Sequence, residues 1–206
     1  MKIKETTLIS IACLGILIGL SFFFLFNNNL NTKAYDGAKV TTKQYNSYVK
    51  MSKEELFAYA DIVALGKVKK ISGPGELKHD VGGEKKLVIF SDYTFEIIEA
   101  FKGINPGTEI IIRVPGGKLN NRTFISDAVV PDINQSQILF LKKYQWGNSS
   151  EVTYHILGGP QGKFLVNGNK VIGMEMDKDI NNFKDELKTY KDKYGEKIKL
   201  PPGFLK

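Results

Sequence analysis

From Thr6 to Phe26 the chain runs without a single charged side chain, and Leu8 to Phe26 is almost wholly Leu, Ile, Ala, Gly and Phe. As an α-helix such a run is about 30 Å long, the thickness of a bilayer's hydrocarbon core. Lys2 and Lys4 precede it and Asn27, Asn28, Asn29, Leu30 and Asn31 follow. The positive-inside rule therefore predicts a cytoplasmic N-terminus, a transmembrane helix over 6–26, and residues 35–206 outside the membrane. The run exceeds the ~7–15 residues of a secretory h-region, which favours an uncleaved, single-pass signal anchor in the cell membrane. Thr32-Lys33-Ala34 places small residues at −3 and −1 of a cut after Ala34, so release as a secreted protein is the alternative.

Cys13 is the only cysteine and lies within the apolar run, so the part from Tyr35 onward has none. That excludes a disulfide scaffold, a cysteine-rich zinc module and a cysteine nucleophile there. Exported domains without disulfides are usual in Gram-positive bacteria, and the dominance of lysine over the two arginines fits an AT-rich bacterial genome. Two histidines, His79 and His155, leave little for a metal site, and no cofactor is expected. From position 35 there are 26 basic and 21 acidic residues, a surplus suited to anionic surroundings such as teichoic acid or lipid headgroups. Nucleic acid is a poor partner for an exported chain without an arginine patch or an aromatic RNP motif.

Residues 35–51, polar with scattered tyrosines, read as a flexible tether. Ser52 and Glu55 have the spacing of a capping box and open a short helix with Leu56, Phe57, Tyr59 and Ala60 on its apolar side. Strand patterns follow at 62–71, 87–101, 109–114, 122–125, 137–144 and 152–157. A hairpin is expected across Asn167-Gly168-Asn169. Gly73-Pro74-Gly75 through Gly82-Gly83 reads as a long polar loop. Ile180, Phe183, Leu187, Tyr190 and Tyr194 recur at steps of three and four, the stripe of an amphipathic helix, before Pro201-Pro202-Gly203. The domain is expected over 52–176, with the helix and tail at 177–206. Short strands between turn signals, flanked by helices and without βα alternation, predict a mainly β antiparallel barrel or sandwich.

Gly158-Gly159-Pro160-Gln161-Gly162-Lys163-Phe164 lacks the spacing and the hydroxyl of a phosphate loop, and joins strand to strand. His155 reads as a structural strand residue. His79 with Asp80 reads as a solvated loop pair. Glu96 and Glu99, three apart on a strand, point to opposite faces. Asp177 and Asp179 read as caps for the last helix. The candidates for ligand binding are Arg113, Lys118 and Arg122 around Pro115-Gly116-Gly117, since the guanidinium fork suits carboxylate, sulfate or phosphate. Gln161 and Lys163 in the glycine-rich turn and Trp146, the only tryptophan, complete the set.

Several of these segments form a pattern. Ala60-Asp61-Ile62-Val63, Gly66-Lys67-Val68, Tyr93-Thr94-Phe95-Glu96-Ile97 and Phe101-Lys102-Gly103 resemble the tissue inhibitor of metalloproteinases, or netrin-like, superfamily. Val114-Pro115-Gly116-Gly117 and Leu139-Phe140-Leu141 match its later elements as seen in bacterial exported members. The resemblance covers roughly residues 54–145 and implies an OB-like Greek-key barrel. The inhibitors chelate protease zinc through an N-terminal cysteine and brace their loops with disulfides. This chain has neither, so inhibition does not carry over.

The expectation is a membrane-tethered extracytoplasmic module that binds a protein or an anionic envelope polymer without catalysis. One alternative is an envelope hydrolase built on Asp/Glu carboxylates. Another is an accessory subunit of a membrane complex, its helix packing through Gly15 and Gly19.

Overall fold

The computed structural model describes residues 40–45, 47–81, 84–145 and 150–195. The expected transmembrane helix and its cleavage site lie outside them, and among the described residues no helix is long and apolar enough to cross a membrane.

The capping box forms where the spacing places it. The Ser52 hydroxyl accepts from the Glu55 amide at 3.2 Å, and the Glu55 carboxylate accepts from the Ser52 amide at 2.8 Å. They start α1 (Lys53–Tyr59), which buries Leu56, Phe57 and Ala58. So short a helix leaves most of its carbonyls without intrahelical partners. Here each of the last four is met. Leu56 O accepts from the Ala60 amide at 2.9 Å, and Phe57 O and Ala58 O accept from the Lys102 ammonium at 2.8 and 3.0 Å. Tyr59 O accepts from Lys142 at 3.1 Å.

A strand β1 (Val40–Gln44) precedes α1, and β2 (Ile62–Val81) follows it and pairs antiparallel with β3 (Glu84–Lys102) along its whole length. The expected polar loop at 73–83 is thus mostly strand. The register skips between Ser72 and Gly75, so Gly73 and Pro74 bulge out of the ladder, where the missing N–H of proline costs no hydrogen bond. Pairing then resumes at Gly75 with Phe90.

Beyond the Asn105-Pro106-Gly107 turn come β4 (Glu109–Pro115), β5 (Gly117–Leu119) and β6 (Arg122–Ser126). β7 (Ser136–Tyr144) and β8 (Thr153–Ile156) follow. β2, β3 and β4 form a meander, β8 lies parallel to β4 through Ile112 and Tyr154, and β7 pairs antiparallel with both β8 and β2. The ladder β2–β3–β4–β8–β7 therefore returns to its first strand. The second edge of β7 also carries β9 (Lys163–Asn167), then β10 (Lys170–Gly173) and β11 (Met176–Asp179), giving a sheet of eight strands. The molecule is mainly β. β1 pairs parallel with β6, which pairs with β5, so residues 40–44 of the expected tether belong to a three-stranded sheet.

Ile62-Val63-Ala64-Leu65 and Ile138-Leu139-Phe140-Leu141 are apolar on both strand faces because both faces are covered. Ile62, Ala64, Leu139 and Leu141 join Phe95, Ile97 and Ile112 in one cluster. Val63, Ile138 and Phe140 join Leu56, Phe57 and Phe164 in another, with Phe183 and Leu187 of α2 (Ile180–Tyr194). The expected stripe faces this second cluster. Asp179 caps α2, accepting from the amides of Asn181 and Asn182 at 2.9 and 3.2 Å, whereas Asp177 pairs with Lys170.

The Phe101-Lys102-Gly103 segment has a local physical account. Phe101 is buried in the second cluster and Lys102 caps α1. Gly103 adopts φ +72°, where any Cβ would collide with the Asp61 carbonyl oxygen. Asp61 in turn accepts from the Lys142 ammonium at 2.8 Å and the Lys143 amide at 2.7 Å.

Candidate functional site

The segment before α1 is laid across the 3₁₀ turn Gly159–Gly162 by one side chain. Gln161 accepts from the Met51 amide at 2.8 Å and donates to the carbonyls of Val49 at 3.0 Å and Gly158 at 3.2 Å. Tyr48 lies against Gly159, whose φ of +58° and contact with the ring both exclude a Cβ. Between this segment, the start of α1, β9 and the β10–β11 connection opens a groove of about 670 Å³. Leu56, Phe164 and Met51 are its most buried lining residues, with Tyr48, Pro160, Met174 and Met176 also exposed to it. Three of the chain's four methionines line it, the other being Met1.

Met174 and Glu175 form the two-residue link between Gly173 and Met176. Tight hairpins favour Asn, Asp and Gly at such positions, yet a methionine stands there, 65% exposed.

The rim is charged with both signs. Lys50 and Glu175 form no ion pair among the described residues. Lys53 is committed. Its ammonium lies 2.7 Å from Glu186, 3.5 Å from the Met176 sulfur and 5.6 Å from the Phe183 ring centroid. Burial opposes ionisation of Glu186, but hydrogen bonds from Lys178, Lys53 and Tyr190 outweigh it and hold the carboxyl down to about 2. A second, more polar cleft on α1 is lined by Glu54, Glu55, Ala58 and Tyr194. Its Glu54 is already engaged by Lys193 and Tyr194.

Of the residues singled out in the sequence, Gln161 lines the groove, with its hydrogen bonds among the described residues made to backbone. Arg113 is not displayed for an anion. It is 5% exposed, grips Asp92 through two hydrogen bonds of 2.7 Å, meets Glu151 at 2.7 Å, and stacks 4.0 Å from the Phe90 centroid. The pleat aligns Asp92 with Arg113 across β3 and β4, which linear spacing does not reveal. Arg122 pairs with Glu76 at 2.5 Å and Lys163 with Asp132 at 2.8 Å, while Lys118 is exposed on β5. Trp146 and the side chain of His79 fall outside what the structure describes.

His155 lies edge-on to Tyr144, their centroids 5.5 Å apart. Burial, assisted by the neighbouring Lys142 charge, lowers its pKa to about 4. It is neutral at pH 7 and packs as a strand residue. The two strand carboxylates singled out in the sequence are also occupied, Glu96 by Lys69 and Glu99 by Lys184. Among the described residues no group of three His, Cys, Asp or Glu side chains is placed to hold a metal ion. Compared with family models, curated proteins and solved structures, the chain matches none.

Proposed function

We propose that this chain is a membrane-anchored, extracytoplasmic binding module whose groove takes an extended, largely apolar segment of a partner protein. The anchor is the uncharged run at Thr6–Phe26. The scaffold is an OB-like Greek-key barrel, a reading supported by the order β2–β3–β4–β8–β7, in which a parallel pair closes an otherwise antiparallel ring. Fold alone assigns no ligand. The observation that carries the function is the convergence of Met51, Met174 and Met176 with Tyr48, Leu56 and Phe164 on one open groove. Thioether side chains are unbranched and polarizable, so they mould to varied apolar partners.

Charge favours one of the two kinds of partner the sequence allows. A polyanion would need a cluster of free cations, but Arg113, Arg122 and Lys163 already hold carboxylates, the exposed Lys118 does not line the groove, and Lys50 at the rim is offset by Glu175. A polypeptide of mixed sign suits a rim bearing Lys50 and Glu175 together. The test is selection of displayed peptides against the full chain in lipid nanodiscs. Aliphatic or aromatic peptides should emerge that bind Met174→Glu at least tenfold more weakly and bind Arg122→Ala as they bind the parent. Selection of only acidic peptides, or equal binding to Met174→Glu, would refute the proposal.

A further inference from the structure

We infer that the groove is also an oxidation-sensitive site, in which conversion of Met174 to its sulfoxide by a peroxide switches partner binding off; this rests on the groove being the docking surface. From residue 35 onward the chain has no cysteine, so the thioethers of Met51, Met174 and Met176 are its only sulfur atoms there, and all three line the same groove. A two-electron oxidant reaching this domain has no other sulfur target.

The three differ in access and in electronic state. Met51 is 8% exposed and Met174 65%. Met176 is half-buried, and its sulfur already accepts from the Lys53 ammonium at 3.5 Å, which draws on the lone pair an oxidant must engage. Among the described residues Met174 makes no such contact, and it stands at the tip of the β10–β11 link. The order of reaction is therefore Met174, then Met176, then Met51.

In the step itself a sulfur lone pair of Met174 attacks the distal peroxide oxygen and the O–O bond breaks. A proton moves to the departing hydroxide, leaving methionine sulfoxide and water, so sulfur is oxidised by two electrons and the peroxide reduced by two. The product replaces a flexible apolar side chain by a polar, chiral one. A sulfoxide oxygen on the groove wall must either lose its water when an apolar segment docks or hold that segment away. Reversal requires a sulfoxide reductase.

The experiment uses the full chain in nanodiscs with methyl-¹³C methionine, treated with hydrogen peroxide and followed by NMR and peptide mass spectrometry. Its binding probe is a fluorescein-labelled peptide from the selection described above. Met174 should oxidise first, at least fivefold faster than Met51. Affinity for the peptide should fall at least tenfold as the Met174 sulfoxide accumulates. Met174→Leu should retain its own pre-treatment affinity through the same exposure. Oxidation of Met51 or Met176 ahead of Met174, or unchanged affinity with Met174 fully converted, would overturn the switch alone. Failure of the selection to yield any peptide overturns the docking role and the switch with it, whatever the oxidation order.

Discussion

Replacing Lys102 with methionine tests the account of how α1, and hence one wall of the groove, is held. Lys102 is 4% exposed, and its ammonium donates to Phe57 O and Ala58 O at 2.8 and 3.0 Å and lies 5.3 Å from the Phe57 centroid. Methionine keeps the length and apolar stem but leaves both carbonyls without that donor. An unsatisfied buried acceptor costs about 1–3 kcal/mol, so the gross penalty is about 2–6 kcal/mol. Part of that is returned, because burial disfavours the charged form and lowers the Lys102 pKa. We expect a net loss of about 2–4 kcal/mol, or a melting temperature lower by roughly 5–15 °C for a domain of this size. Circular dichroism on the chain in detergent micelles gives the melting shift, and amide hydrogen exchange gives its location. Protection should fall first in α1, and because Ser52, Lys53 and Leu56 line the groove, peptide affinity should fall with it. A shift below about 1 °C with unchanged α1 protection would show that the two hydrogen bonds do not hold the helix.

Two further outcomes follow from the charge network. Glu186 has a folded-state pKa of about 2 against an ordinary 4.5, so its contribution to stability is present above pH 4.5 and lost as the pH falls toward 2. It is worth at most about 3 kcal/mol, and less where water screens the pair. His155, lowered from 6.5 to about 4, also makes stability decline on acidification, between those two values, since the unfolded imidazole takes the proton more readily. Denaturant midpoints measured from pH 7 to pH 3 should fall throughout. His155→Phe should flatten the upper half of the fall and Glu186→Gln the lower half, and a profile unchanged by either would contradict the assignment. Arg113→Met, which leaves the mostly buried Asp92 without its guanidinium partner, should cost about 3–5 kcal/mol in chemical denaturation, the usual penalty for breaking one side of a buried pair. A cost under 1 kcal/mol would return Arg113 to the role of a surface ligand.

What the sequence determined by itself is local in origin. The box of Ser52 and Glu55 and the cap at Asp179 close within three residues, so their spacing alone announces them. The stripe on α2 and the apolar runs of β2 and β7 are likewise periodic along one chain segment, and a mainly β class follows from counting them. The features decided by tertiary structure link distant positions. Gln161 reaches Met51 across 110 residues, and Lys53 reaches Met176 across 123, so nothing in either neighbourhood foretells the groove. Pairing also overrode local signals. Gly73-Pro74 broke the strand pattern in sequence, yet β3 supplied a ladder on both sides of the bulge. The arginines that looked free in a list of residues were neutralised by carboxylates delivered from other strands. A charged side chain's availability depends on what the fold places within a few ångströms of it, and that information lies in strand register and packing rather than in spacing along the chain.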